Sequence, residues 1–195
     1  MADLTELGSE VTACQRCGLC KTRLHAVPGD GPVNARLMFI GEAPGKQEDQ
    51  QGRPFIGASG KFLTHLIARA GFQREQVYIT NVVKCRPPDN RDPRPEEIVA
   101  CASFLDRQIA LINPAVIVTV GRISMARYFP NEKISAIHGQ ARQINGRLVV
   151  AMYHPAAALH QPALRTTLQT DFDALRLLLD KQFGVDQGAT QRASP

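Results

Sequence analysis

Apolar, β-rich runs recur along this chain at Leu37–Ile40, Val77–Val83, Ala115–Val120 and Leu148–Tyr153, and helical periodicity fills the intervals between them. Phe62, Leu63, Leu66, Ile67 and Ala70 predict a helix ending at Gly71. Ile98, Phe104, Leu105, Ile109 and Ile112 predict a second, stopped by Asn113-Pro114, and Ser124–Phe129 predicts a short third. Phe172, Leu175, Leu178 and Leu179 mark a last helix. Strands that alternate with helices must be joined by βαβ crossovers, so the expected class is α/β, with a mostly parallel sheet and helices on both faces.

A chain of 195 residues fits one domain with a full core. We place that domain at 1–183, with a short helix in residues 1–13 and a disordered tail at 184–195. Hydrophobic content of 44% and charged content of 21% are those of a globular protein and exclude a disordered chain. No apolar run reaches membrane-spanning length, and the first residues carry neither a basic nor an apolar signal segment, so a cytoplasmic location is expected. The net charge of +5 permits a polyanionic partner without establishing one. In a reducing compartment the 5 cysteines read as metal ligands or inert buried thiols rather than disulfides.

In an open α/β sheet, ligands bind beyond the carboxyl ends of the strands. Three polar signals fall there: the turn Gly41-Glu42-Ala43-Pro44-Gly45, Asn81, and His154-Pro155. The glycine-rich turn lets backbone N–H groups approach a ligand, but its spacing is neither a P-loop nor a dinucleotide fingerprint. No serine or cysteine stands out as a nucleophile for His154, which points to a hydrogen-bonding or electrostatic role. Phe55 sits in a Gly/Pro loop rather than on a periodic apolar face, a placement that suits stacking on a base. Lys46, Arg53, Lys84, Arg86 and Arg91 are candidates for phosphate contact.

Cys14-x2-Cys17 is a local chelate, and Cys85 with Cys101 brings the set to four thiolates. The wide spacing of the second pair is looser than zinc usually shows and tolerable for an iron–sulfur cluster. Cys20 extends the first pair to C-x2-C-x2-C, leaving the ligand assignment within it open.

Taken in order, Gly41–Gly45 with Glu48-Asp49, Gly52-Arg53-Pro54-Phe55-Ile56-Gly57, Thr80–Pro88 and His154-Pro155-Ala156-Ala157 resemble the family 4 uracil-DNA glycosylases, the iron–sulfur members of their superfamily. The resemblance runs from about Cys14 to Leu159. It implies a three-layer α/β/α sandwich with a four-stranded parallel sheet. It also implies a [4Fe–4S] cluster on Cys14, Cys17, Cys85 and Cys101, with Cys20 as an extra thiol, and monofunctional excision of uracil from DNA by a monomer. The family's uracil pocket falls on the Glu42–Ala43 backbone, Phe55, Asn81 and His154.

On that resemblance, Phe55 stacks on the flipped base, the Asn81 amide accepts from N3–H and donates to O4, and His154 stabilises the departing uracil near O2. Glu42 and Glu48 are further catalytic candidates. Alanine at 43 leaves no carboxylate to activate water where a related family carries Asp, which favours a dissociative path. Glu48 is a candidate either to position water or to block the thymine methyl. Arg86 and Arg91 are expected at the DNA backbone, and Leu159 or Leu164, in a 154–164 loop, as the wedge filling the vacated stack. Two rivals remain: a relative that traps uracil covalently through a histidine, though residues 86–100 contain none, and an iron–sulfur nucleic-acid-binding or electron-transfer protein without glycosylase activity.

Overall fold

A computed structural model describes residues 3–184. From residue 185 onward the tail expected at 184–195 lies outside the described residues. Strands β1 (Leu37–Gly41), β2 (Tyr78–Asn81), β3 (Val116–Val120), β4 (Ala141–Ile144) and β5 (Arg147–Met152) form one sheet in the order β2-β1-β3-β5-β4. The β1–β2, β1–β3 and β3–β5 pairs are parallel, as the βαβ pattern requires. The expected four-stranded parallel sheet is corrected by β4, which joins β5 as an antiparallel hairpin and makes the sheet five-stranded and mixed. Asn145 (φ 50°) and Gly146 (φ 76°) form the turn, both in the left-handed conformation that a tight two-residue hairpin demands. Arg142 and Gln143 of β4 are exposed, and a charged edge strand of this kind carries no apolar run to betray it.

Alternation along the strands sorts the core into two halves. Leu37, Phe39, Ile79, Val118, Val150 and Met152 face one layer, where they pack with Leu63, Leu66, Phe172 and Leu175. Met38, Ile40, Tyr78, Ile117, Val149 and Ala151 face the other, against Leu7, Val11, Phe104 and Leu105. The first layer therefore holds α3 (Ala58–Arg69) and α8 (Pro162–Phe183), and the second α1 (Leu4–Ala13) and α4 (Pro95–Ile112). Proline opens α4 and α8, where its missing N–H costs nothing, and Asn113 and Gly184 close them in the left-handed conformation. The expected third helix begins earlier, as α5 (Arg122–Ala126).

Chain order places β2 on one side of β1 and β3 on the other, so a crevice opens between the diverging connections. Gly41, Asn81, Gly121 and His154 all follow or end strands on that rim. The short α2 (Lys46–Gln51), α6 (Ile134–Ile137) and α7 (Pro155–His160) complete the structure.

Candidate active site

A cleft of about 350 Å³ occupies the rim, and Glu42, Ala43, Glu48, Phe55, Asn81 and His154 all line it, joined by Asn90 and Arg91. Residues from four separate connections are thereby brought to one wall.

Phe55 is 5% exposed and adopts φ 50°, rare for an aromatic. Its conformation is held from outside. Arg74 donates to the Phe55 carbonyl at 2.9 Å and to the Pro54 carbonyl at 2.5 Å. Gly60 lets the loop lie directly on α3, since a Cβ there would stand 2.0 Å from the Phe55 carbonyl carbon. The ring ends 5.7 Å from that of His154, tilted by 32°. Gly41 passes beneath: a Cβ on it would meet Asn81 Oδ1 at 2.4 Å and Phe55 Cζ at 2.5 Å. The sequence marks Gly41 only as part of a ligand-approaching turn, not as a contact of Phe55 and Asn81, and gives no sign of the parts taken by Gly60 and Arg74.

Asn81 closes β2 and is 1% exposed, yet its Oδ1 has no hydrogen-bond partner among the described residues. A buried amide oxygen without a donor is costly, and this one belongs to a side chain that lines the cleft. Its backbone is fixed from below by Lys84. The reading of Lys84 as a phosphate contact is corrected: it is 1% exposed, and Nζ donates to Thr80 Oγ1 (2.6 Å), the Asn81 carbonyl (2.7 Å) and Gln108 Oε1 (2.6 Å). Burial pushes this ammonium down to about 7.

His154 leaves β5 and caps α7, its Nδ1 accepting the Ala156 N–H at 3.2 Å. That bond fixes the tautomer, so the proton of the neutral ring sits on Nε2. Burial lowers its pKa to about 4, against a small opposing pull from Glu48, and the ring is neutral at physiological pH. Gly121 (φ +100°) admits it; a Cβ there would stand 3.2 Å from the His154 Cβ.

The two carboxylates differ. Glu48 Oε1 accepts the Ile56 and Gly57 N–H groups, both at 2.9 Å, and Oε2 accepts that of Gly45 at 3.1 Å. Glu48 thus braces the glycine turn against the Phe55 loop. Glu42 is partly buried and its pKa rises to about 7, chiefly through burial and then through Asp92, with Arg122 opposing. Asp92 in turn pairs with Arg122 at the start of α5.

Among the cations, Arg91 lines the cleft but is gripped by both oxygens of Glu97 (2.9 and 2.7 Å), and Arg86 donates to Asn90 Oδ1 at 2.8 Å. Arg53 pairs with Asp30 at 2.8 Å, while Lys46 is exposed. The expected 154–164 loop is helical, formed by α7 and the first turn of α8. Leu164 packs on the core, which removes it as a wedge, whereas Leu159 is 41% exposed.

Behind the cleft, Cys14, Cys17, Cys20, Cys85 and Cys101 line a second cavity with Val11, Leu19, Val83 and Phe104. Three N–H donors are aimed at sulfur: Arg23 Nη1 at Cys85 (2.9 Å), the Lys84 amide at Cys101 (3.3 Å) and the Arg16 amide at Cys14 (3.5 Å). Burial nevertheless raises the Cys85 thiol to about 11 and the Cys101 thiol above its usual value. Such donors serve thiolates far better than thiols, and only a bound cation would make thiolates in so apolar a place. Among the described residues, no three His, Cys, Asp or Glu side chains form a group able to hold a single metal ion.

Comparison with known proteins agrees with this layout. The family model of the uracil DNA glycosylase superfamily matches residues 28–176. A Type-4 uracil-DNA glycosylase of Sulfurisphaera tokodaii is 45% identical, the alignment covering 95% of this chain and 90% of that protein. Those of Archaeoglobus fulgidus (44%; 93% and 96% covered) and Saccharolobus solfataricus (46%; 93% and 89%) are similarly close. The chain belongs to the uracil DNA glycosylase superfamily.

Proposed function

We propose that this protein is a monofunctional uracil-DNA glycosylase that hydrolyses the N-glycosidic bond of uracil in DNA and leaves an abasic site. One observation supports this above the rest: the buried, unpaired Asn81 Oδ1 set beside the Phe55 ring. That acceptor suits an imide N–H, which uracil carries at N3 and cytosine lacks; an amide left mismatched in a buried site rejects the wrong base strongly.

The target nucleotide leaves the duplex and its base stacks on Phe55. Asn81 Oδ1 accepts from N3–H while its Nδ2 donates to O4. As the bond to the sugar lengthens, negative charge gathers on the uracil ring, and the His154 Nε2–H, aided by backbone N–H groups near Ala43, stabilises it at O2. Because His154 is neutral, it acts by hydrogen bonding without surrendering a formal charge. Glu42, whose carboxyl titrates near neutrality, accepts the proton of the water that attacks the sugar. Glu48 already accepts three N–H bonds, which favours the wall that excludes a thymine methyl over the water-holding role.

The cysteine cavity suits a [4Fe–4S] cluster, which Cys14, Cys17, Cys85 and Cys101 would hold. Bound there, the cluster would tie the N-terminal segment to the loop that begins at Asn81, with Arg23 and the two amides bonding to the cysteine sulfurs. Arg91 lines the cleft and Arg86 is bonded to Asn90 of its lining, where the DNA backbone would pass, and Leu159 is the wedge. No helix among the described residues is long and apolar enough to cross a membrane; a cytoplasmic monomer with one domain over 1–183 is the arrangement we favour.

Alkali cleavage of a uracil-containing oligonucleotide after incubation tests the activity. His154→Ala should lower single-turnover excision by roughly 10²–10³-fold, the loss of one preorganised donor, while binding stays near wild type. Uncleaved DNA after incubation with folded, iron-loaded protein would overturn the proposal.

A further inference from the structure

Beside the cleft mouth lies a second hollow of about 310 Å³, lined by Ala58, Lys61, Phe62, His65, Leu159 and Arg165. The same two helices build both: Ser59 and Ala156 line the cleft, while Ala58 and Leu159, on α3 and α7, line the hollow. We infer that this hollow carries the DNA backbone on one flank of the flipped nucleotide, with Lys61 and Arg165 on separate phosphates and Leu159 turned toward the base stack. The inference rests on the glycosylase reading and adds a binding surface to it.

Arg53, Arg69, Arg91, Arg107, Arg122, Arg127 and Arg142 each hold a carboxylate. Lys61, His65 and Arg165 are exposed, none has an acidic partner among the described residues, and no carboxylate lines the hollow. Lys21, Lys46 and Lys133 are exposed cations as well, but in the hollow such side chains share one concave surface. Unneutralised cations grouped around a concave surface attract a polyanion more strongly than paired ones do. The placement of Arg165 is also fixed rather than loose. The Arg165 guanidinium lies 4.8 Å over the Phe62 ring, and the His65 ring lies 6.4 Å from it, 15° from parallel. Phe62 is itself 6% exposed, so it is a buried platform that holds the Arg165 guanidinium in position.

The test is binding of a duplex with a non-cleavable abasic analogue, followed by fluorescence anisotropy between about 50 and 200 mM salt. Each phosphate contact contributes about 0.9 to the slope of log K against log salt, so K61A/R165A should lower it by about 1.8. Lys61→Glu alone, at an exposed position with no packing to disturb, should lower it by about 0.9 or more. Arg107→Ala, whose partner Glu10 lies on the opposite layer, serves as the control and should leave the slope unchanged. Neutral methylphosphonates placed singly around the lesion should weaken the wild type on one flank only, and the double variant should ignore those positions. An unchanged slope in K61A/R165A and Lys61→Glu, in protein that still excises uracil, overturns the inference. A lowered slope in protein that excises no uracil overturns the glycosylase reading instead.

Discussion

Gly41→Ala adds one methyl group where the two recognition side chains meet. The new Cβ would stand 2.4 Å from Asn81 Oδ1 and 2.5 and 2.6 Å from Phe55 Cζ and Cε2. Non-bonded carbons settle at about 3.5–4.0 Å, so the Phe55 ring must retreat by about 1 Å. It has little freedom to do so, because Arg74 holds its carbonyl and α3 lies against its backbone at Gly60. The φ of Gly41 is not left-handed, so alanine is acceptable to the backbone and the perturbation is purely steric. A misplacement of about 1 Å in a reacting group can cost on the order of 10²-fold in rate, and overpacking typically costs about 1–3 kcal/mol in stability. Single-turnover excision with saturating enzyme reads the first and thermal unfolding the second. Adding Phe55→Leu should restore part of the lost stability, since the shorter side chain vacates the overlap. Gly8→Ala is the matched control: it has nothing within 4 Å, lies within α1, and should gain about 0.5–1 kcal/mol without affecting excision. A Gly41→Ala protein with wild-type rate and melting temperature would refute the proposed contact between Gly41, Asn81 and Phe55.

Glu42→Gln should become progressively more stable than wild type as pH rises from 5 to 8. The native carboxyl is raised from 4.5 to about 7, so the folded chain binds the extra proton in that window and loses stability as it leaves. Parallel melting curves across pH would contradict this. His154 acts in the opposite sense: with its pKa lowered from 6.5 to about 4, its contribution is complete above 6.5 and is lost as pH falls toward 4, and His154→Gln should remove that acid-side decline. Cys17→Ala should yield colourless protein without absorbance near ~400 nm and with a lowered melting temperature, while Cys20→Ala keeps its iron; equal iron loss in both would require a different ligand set. Lys84→Met should cost about 2–4 kcal/mol, because three buried acceptors lose a charged donor, and chemical denaturation should show it.

Strands β1, β2, β3 and β5 were legible because their residues are buried on both faces and so form continuous apolar runs. Edge strand β4 obeys the same geometry with only one covered side, and Asn145-Gly146 was the clue that should have revealed it. Asn81 and His154 stood out because a polar side chain directly after a buried strand has few structural reasons to be there. Lys84 was misread for the complementary reason. A lysine in sequence declares its charge but not the three acceptors around it, one of which, Gln108, arrives from the middle of α4. The contacts of Gly41 and Arg74 with Phe55 were invisible to local pattern, since each comes from another part of the chain. The hollow around Lys61 and Arg165 was equally hidden, being assembled from α3 in the first half of the chain and α7 and α8 near its end.

The brace formed by Glu48 bears on which partner moves during recognition. Its carboxylate fastens both walls of the cleft before any base arrives, and the Phe55 backbone is independently bolted to Arg74. A mouth built this way has no jaw to close over its target. Searching is then left to the nucleic acid, whose own breathing presents extrahelical bases to a mould of fixed shape. Weakly paired uracils, opposite guanine or in single strands, should accordingly be found sooner than those opposite adenine, through the pliancy of the substrate rather than any adjustment by the enzyme.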